Sequence, residues 1–307
     1  MTSVATAHDT LRPLMFSIAY RMLGSVAEAE DVVQEALLRM TRAEGEGTVP
    51  ENIDAWATTI TTRIAIDTLR SARMRRESYI GPWLPEPLVE GRAPDPAVQA
   101  ETDDAVGTAM LVLMETLTPH ERAAFILRET LDYDYASIAT LLEQSEATCR
   151  QHVSRARRHL DAGRPRFDVS RSRTDALTEA FLDAVRGGEL GALEALLAQD
   201  VTFWGDGGGR APAIRKPMVG AVAVARFLRG LAQRFAPRHV AIDPASANGG
   251  AAVVMTDREG ALLGVLTMDF DQQGRIVALR NQINPDKLRH LGAVGDLAGL
   301  VATPGSG

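Results

Sequence analysis

The chain has 307 residues, 45 % apolar and 24 % charged, with a formal net charge of −7 and one cysteine, Cys149. That length supplies two or three domains with cores of their own, and a single thiol excludes an internal disulfide and fits a reducing compartment. The negative total excludes a chain that binds polyanions over its whole surface, so any such function rests on local basic faces. No apolar run approaches the roughly 20 residues a membrane helix requires, and no basic-then-apolar leader opens the chain, so a cytoplasmic protein without a membrane partner is expected.

Leu11, Leu14, Met15, Ile18 and Met22 recur at helical spacing, with Gly24 as a stop. Ser25 and Glu28 form a capping box for a second helix, whose inward side is Val32, Val33, Ala36, Leu37 and Met40. Another face of that helix carries Glu28, Asp31 and Glu35, either a solvated stripe or a docking surface for a basic partner. A third helix spans residues 54–77, with Asp54 as N-cap. Its second half holds Arg63, Arg70, Arg73, Arg75 and Arg76 around Asp67, which suits phosphate contacts driven by counterion release.

Residues 78–104 read as a linker. Pro82, Pro85 and Pro87 hold the chain extended, and Gly91, Pro94, Asp95 and Pro96 follow. A bare spacer has no need of Trp83 and Leu84. A second helical block covers residues 105–160. Thr118-Pro119-His120-Glu121 is a helix start, Asp134 caps a short helix to Glu143, and Ser145 caps a last helix from Glu146 to Leu160. Two helices joined by a tight turn, the second basic, form a helix-turn-helix pattern. Val153, Ala156 and Leu160 point inward, leaving Arg150, Gln151, His152, Ser154, Arg155, Arg157, Arg158 and His159 to face a groove, where Arg and Gln read base edges bidentately. Cys149 on this helix reads as a small packing residue.

From residue 171 the pattern changes. Helices at 175–185 and Glu189–Gln199 precede a strand at Asp200–Trp204, the loop Asp206-Gly207-Gly208-Gly209-Arg210 and a helix at Ala221–Arg234. Strand-like runs follow near His239–Asp243, Ala251–Thr256, Leu262–Phe270 and Ile276–Ile283. This is an α+β order with an antiparallel meander. A mobile tail is expected from Ala293.

With these residues in view, the first two blocks resemble regions 2 and 4 of an extracytoplasmic-function (ECF) RNA polymerase sigma factor. The matching stretches are Ala29–Glu35, Arg63–Arg70, Leu117–Arg122, Ser145–Thr148 and Ser154–Arg158. The third block resembles a SnoaL-like domain, the cone-shaped fold of the nuclear-transport-factor family. One ECF group joins all three, with a Trp-Leu-Pro-Glu-Pro linker, an Asp-Gly-Gly-Gly-Lys loop and an Asn-Pro-Asp-Lys-Leu segment. Here these are Trp83-Leu84-Pro85-Glu86-Pro87, Asp206–Arg210 and Asn284-Pro285-Asp286-Lys287-Leu288. Arg210 replaces the group's usual Lys, and Arg63 stands where many other ECF factors have Asn.

The resemblance implies a multidomain protein: region 2 helical bundle, 1–78; linker, 79–104; region 4 helix-turn-helix, 105–163; α+β SnoaL-like domain, 171–292; tail, 293–307. It implies a sigma factor that brings RNA polymerase core to promoters. Glu28, Asp31, Gln34 and Glu35 would dock on the β′ clamp, and region 4 would meet the β flap. Arg63, Asp67, Arg70, Arg73, Arg75 and Arg76 would hold and melt the −10 element, while Arg150, Gln151, Ser154, Arg155 and Arg158 would enter the −35 major groove. The linker motif would plug into Asp206–Arg210 and Asn284–Leu288, making the third domain a regulator in cis. A small-molecule sensor in the cone pocket, or an enzyme, stays open as the alternative. Neither a metal site, a nucleophilic triad nor a P-loop ending is evident in this part of the sequence, so no cofactor is expected.

Overall fold

A computed structural model describes residues 3–92, 107–163 and 171–302. Pro94, Asp95, Pro96, the rest of the expected linker beyond residue 92 and the last five residues lie outside that range. The chain divides into two compact units. Of the described residues, the first holds those up to Ser78 and from Met110 to 163, and the second takes up those from Tyr79 to 92, Gly107–Ala109 and 171–302.

In the first unit, α1 (Val4–Leu23), α2 (Val26–Gly45) and α3 (Ile53–Glu77) form a bundle. Leu11, Met15, Ile18, Met22, Val32, Val33, Ala36, Met40, Ala65 and Leu69 are almost wholly buried in it. Gly24 stops α1 in the left-handed region (φ 66°) that other residues resist, and its N–H donates to the Tyr20 carbonyl. Ser25 Oγ accepts from the Glu28 N–H at 3.3 Å. The N-cap of α3 is Asn52 rather than the expected Asp54: Asn52 Oδ1 accepts from the Ala55 N–H at 3.0 Å. Asp54 lies inside the first turn, where a carboxylate still favours the helix dipole.

Next come α4 (Thr108–Met114), α5 (Pro119–Glu129), α6 (Tyr135–Leu142) and α7 (Glu146–Gly163). Both bonds of the Thr118/Glu121 capping box are present, and Asp134 and Ser145 accept from the Ser137 and Thr148 N–H groups. Glu143 turns the chain in the left-handed region between α6 and α7. Cys149, Val153, Ala156 and Leu160 form the buried stripe of α7.

The second unit opens on α8 (Arg171–Gly187) and α9 (Leu190–Leu196), followed by β1 (Leu197–Asp206), β2 (Met218–Val219) and α10 (Ala221–Phe235). Then come β3 (Ala241–Ala247), β4 (Gly250–Thr256), β5 (Leu262–Phe270) and β6 (Ile276–Gln282). The helix expected to reach Gln199 ends at Leu196, because Leu197 and Ala198 are buried as the first residues of β1. The sheet order is β2-β1-β6-β5-β4-β3. The β3–β6 hairpins are the expected antiparallel meander, but β1 runs parallel to β6, pairing Trp204 with Arg280, Gly205 with Asn281 and Asp206 with Gln282. The sheet is therefore mixed. The β1–β6 pairing closes a loop of about seventy residues and leaves no local signal.

Phe181, Leu182, Leu193, Val224 and Leu228 from the helices pack on Val201, Phe203, Val253 and Leu279 of one sheet face. The opposite face meets Val89, Leu288 and Leu291. Residues 293–302 are not the mobile tail expected. Leu262 and Gly295 exchange backbone hydrogen bonds with Ala293 and Leu262 at 2.8 and 2.9 Å, and α11 (Leu297–Ala302) buries Leu297 against Leu263 and Ile283.

Candidate functional site

The basic face of α7 is open. Gln151, Ser154, Arg155 and Arg158 are exposed. Arg150 is also exposed, pairs with Glu146 at 2.7 Å and lies over the Tyr135 ring. Arg155 pairs with Glu121 at 2.8 Å.

The arginines of α3 divide. Arg70 and Arg75 are exposed, paired with Asp67 and Glu28. Arg63 instead binds the Leu141 carbonyl at 3.1 Å and Glu143 at 2.9 Å, at the C-terminal end of α6. Arg73 donates to the carbonyls of Glu115 and Leu117, and Arg76 to the Glu115 carboxylate and the Leu23 carbonyl. Glu115 also holds Arg122, a wholly buried side chain whose Nε donates to the Arg21 carbonyl at 3.0 Å. Burial pushes the Glu115 carboxyl up, but Arg122 and Arg76 outweigh it and hold it below the ordinary carboxylate range. On α2, Glu28 is tied to Arg75 and Arg76, and Glu35 to Arg39. Asp31 and Gln34 are exposed beside Leu38, an apolar side chain 53 % exposed.

In the second unit the Pro-rich segment is bound rather than bridging solvent. Leu84, Pro85, Glu86, Pro87, Leu88 and Val89 are buried, whereas Trp83 is only partly so. Val89 bridges Ala247, the Glu90 N–H donates to the Ser246 carbonyl, and the Asn248 N–H donates to the Leu88 carbonyl, so the segment extends the β3 edge. The centre is Asp206, with no exposed surface. Its Oδ1 accepts from the Tyr79 hydroxyl at 2.5 Å. Its Oδ2 accepts from the Leu84 N–H at 2.8 Å, Gln282 Nε2 at 3.2 Å and Lys287 Nζ at 2.7 Å. The same ammonium donates to the Leu84 carbonyl at 2.6 Å and lies 4.1 Å from the Trp83 ring centroid and 4.8 Å from that of Tyr79. One buried charge pair thus satisfies both backbone groups of Leu84 and holds two aromatic faces, which a cation favours.

The flanking motif residues shape this clamp. Asn284 donates to the Tyr79 oxygen at 2.8 Å and caps the turn Pro285–Lys287 by accepting from the Asp286 N–H. Leu288 is fully buried, and His290 lies 2.8 Å from the Pro87 carbonyl. Gly208 and Gly209 have positive φ, and a Cβ on them would run into Asn284 and Tyr79 or into Ile80. One on Gly207 would strike the Ala211 carbonyl. The glycines are there for turn geometry and close approach. Arg210, on the rim, meets Asp286 through Nε at 3.3 Å. Burial, then the bond to Asp206, push the Tyr79 phenol far above its ordinary pKa.

The same unit holds an apolar pocket of about 280 Å³, open to solvent on one side and lined by Phe203, Ile214, Phe227, Leu231, Phe235, Val240, Met255, Leu263, Ile283 and Leu297, with Asn281 and Arg234 as polar members.

Family comparison gives three matches in order: Sigma-70 region 2 over residues 8–75, Sigma-70 region 4 over 108–160, and a SnoaL-like domain over 178–279. The ECF RNA polymerase sigma factor SigJ of Mycobacterium tuberculosis is 37 % identical over 287 residues, 91 % of each chain. This chain belongs to the ECF RNA polymerase sigma factors. The ECF sigma factor SigG of the same organism is 25 % identical, covering 89 % of this chain and 80 % of the relative. The crystal structure of M. tuberculosis SigJ superposes with a TM-score of 0.74 at 31 % identity, covering 93 % of this chain and 98 % of that one. As an ECF sigma factor the protein directs RNA polymerase to promoter DNA through regions 2 and 4 and carries a SnoaL-like domain behind them. No helix among the described residues is long and apolar enough to cross a membrane.

Sequence reasoning on this sigma factor missed four participants. Tyr79 opens the Pro-rich stretch but has no motif of its own. Gln282 is two residues before Asn284, hence on the same strand face, a signal the period of two offered. Glu115 and Arg122 flank a recognised helix start, yet only the folded unit shows them as a buried pair.

Proposed function

We propose that the SnoaL-like domain of this sigma factor regulates it in cis by holding the linker between regions 2 and 4. The observation that carries this is the Asp206 carboxylate, which accepts from Tyr79, Leu84, Gln282 and Lys287 at once. Tyr79 follows α3 by two residues, so a held linker restrains the chain directly after the −10-reading helix. In this reading Arg70 and Arg75 with Asp67, and on release Arg63, Arg73 and Arg76, meet the −10 element. Arg150, Gln151, Ser154, Arg155 and Arg158 enter the −35 groove, supported by their exposed helix face. Asp31, Gln34, Glu28 and Glu35 contact the polymerase β′ clamp beside exposed Leu38, and region 4 meets the β flap. The protein works in the compartment of its polymerase, the cytoplasm.

The test is promoter-dependent transcription with purified core polymerase, comparing the full chain with Asp206→Ala. A change of threefold or more in transcript per sigma factor supports the clamp; equal output at matched folded protein overturns it. Between the two alternatives for the third domain, the cavity favours a sensor over an enzyme. Its lining offers one carboxamide and one rim arginine, with no carboxylate, imidazole or phenol to act as acid or base.

A further inference from the structure

The cavity and the linker clamp are opposite faces of the same two strands. Side chains alternate along a strand. Phe203 and Gly205 of β1, with Asn281 and Ile283 at the end of β6, line the cavity. Asp206, Gln282 and Asn284, their immediate neighbours, enter the clamp. Asp206 and Gln282 are a paired register position, and the Ile283 N–H donates to the Asp206 carbonyl at 2.9 Å. One strand thickness therefore separates the two sites.

The polar content of the cavity is small and specific. Asn281 Oδ1 is buried without a hydrogen-bond partner, a state that costs free energy which a donor on a bound molecule would recover. Arg234 is exposed and reaches the Val301 carbonyl at 3.5 Å, so its charge belongs to the rim. The volume, about 280 Å³, is nearly twice the roughly 150 Å³ that accepts benzene in an engineered apolar cavity. A hydroxyl both donates and accepts, so it satisfies a carboxamide in either orientation.

We propose that this cavity binds a compact apolar molecule of about two rings bearing one hydroxyl, anchored on Asn281, and that its occupancy tightens the hold on the linker through β1 and β6. The transmission half rests on the clamp reading of the preceding subsection; the binding half does not. Filling the cavity stabilises the strand ends that carry Asp206 and Gln282, since a ligand favours the state that binds it.

The probes are 2-naphthol, 2-methylnaphthalene and 2-naphthoic acid, titrated calorimetrically into the full chain. The alcohol is expected to bind at least fivefold tighter than the hydrocarbon, and Asn281→Leu to abolish that difference. Leu231→Trp, which fills the cavity at a partly exposed position, is expected to weaken both by tenfold or more and guards against a folding defect in the first variant. No binding of either neutral probe, equal affinity for both, or tighter binding of the acid overturns the proposed ligand class. With 2-naphthol bound, deuterium uptake of the peptide containing the Leu84 and Leu88 amides is expected to slow at least threefold. Unchanged uptake with the alcohol bound overturns the transmission, while the clamp itself stands or falls by the Asp206→Ala transcription result.

Discussion

Lys287 and Asp206 are a charge pair taken out of water, and such pairs are held by their full set of partners rather than by attraction alone. Asp206 accepts four hydrogen bonds and Lys287 adds the Leu84 carbonyl and two rings. Removing one ion strands the other in a site with no exposed surface. Lys287→Met is therefore expected to cost the second unit about 3–5 kcal/mol, read by urea denaturation. Asp206→Leu added to Lys287→Met should recover part of that loss, because no buried charge then remains. Losses that simply add would contradict the pair. Glu115 and Arg122 repeat the logic in the first unit, with Arg76 as a second cation.

At the scale of the element, α7 separates packing from recognition on one helix. Cys149, Val153, Ala156 and Leu160 are buried, whereas Gln151, Ser154 and Arg158 face outward. An exposed Gln reads a base edge and an exposed Arg meets either base or phosphate. Gln151→Ala is expected to lose about 1–3 kcal/mol of discrimination at one base pair. Arg158→Ala should relax discrimination at its own base pair and also, through the lost charge, flatten the salt dependence by about 0.9 in log–log slope. Fluorescence anisotropy of labelled −35 duplexes over a salt series distinguishes the two. On helix α3 the two roles overlap: Arg70 and Arg75 are exposed, whereas Arg63, Arg73 and Arg76 also bond other elements of the first unit, so substituting these three confounds DNA contact with fold.

Across the whole molecule the two units face opposite ends of the pH scale. The Glu115 carboxyl is held low by Arg122 and Arg76 against the upward push of burial, so its contribution is present above the unfolded carboxylate pKa, about 4.3, and is lost as pH falls through the folded value. The Tyr79 phenol is raised, so its contribution is present below the unfolded pKa of about 10 and fades as pH climbs beyond it. Trp56 lies in the first unit and Trp83 and Trp204 in the second. Urea titrations on single-tryptophan variants should show the first unit weakening below about pH 4 and the linker loosening above about pH 10. The reverse assignment would contradict both carboxylate and phenol geometries.

What the sequence by itself determined is local or cumulative. Gly24, Thr118, Asp134 and Ser145 end or begin helices through bonds spanning three or four residues, and the hairpins of β3–β6 are neighbours in the chain. The ordered motifs of regions 2 and 4 were legible for the same reason. Asn52 in place of Asp54 shows the margin, since two capping residues two positions apart compete with no sequence rule to choose. The tertiary structure alone decided the parallel pairing of β1 with β6, the seating of Gly295 and Leu297 where the composition suggests a loose tail, and the split among the α3 arginines. The resemblance already implied that Leu84 meets the Asp206 and Lys287 motifs, and the fold alone added Tyr79 and Gln282 to that buried site. Each of these joins residues separated by tens to hundreds of positions, where burial of charge and closure of long loops set the outcome and no local pattern records it.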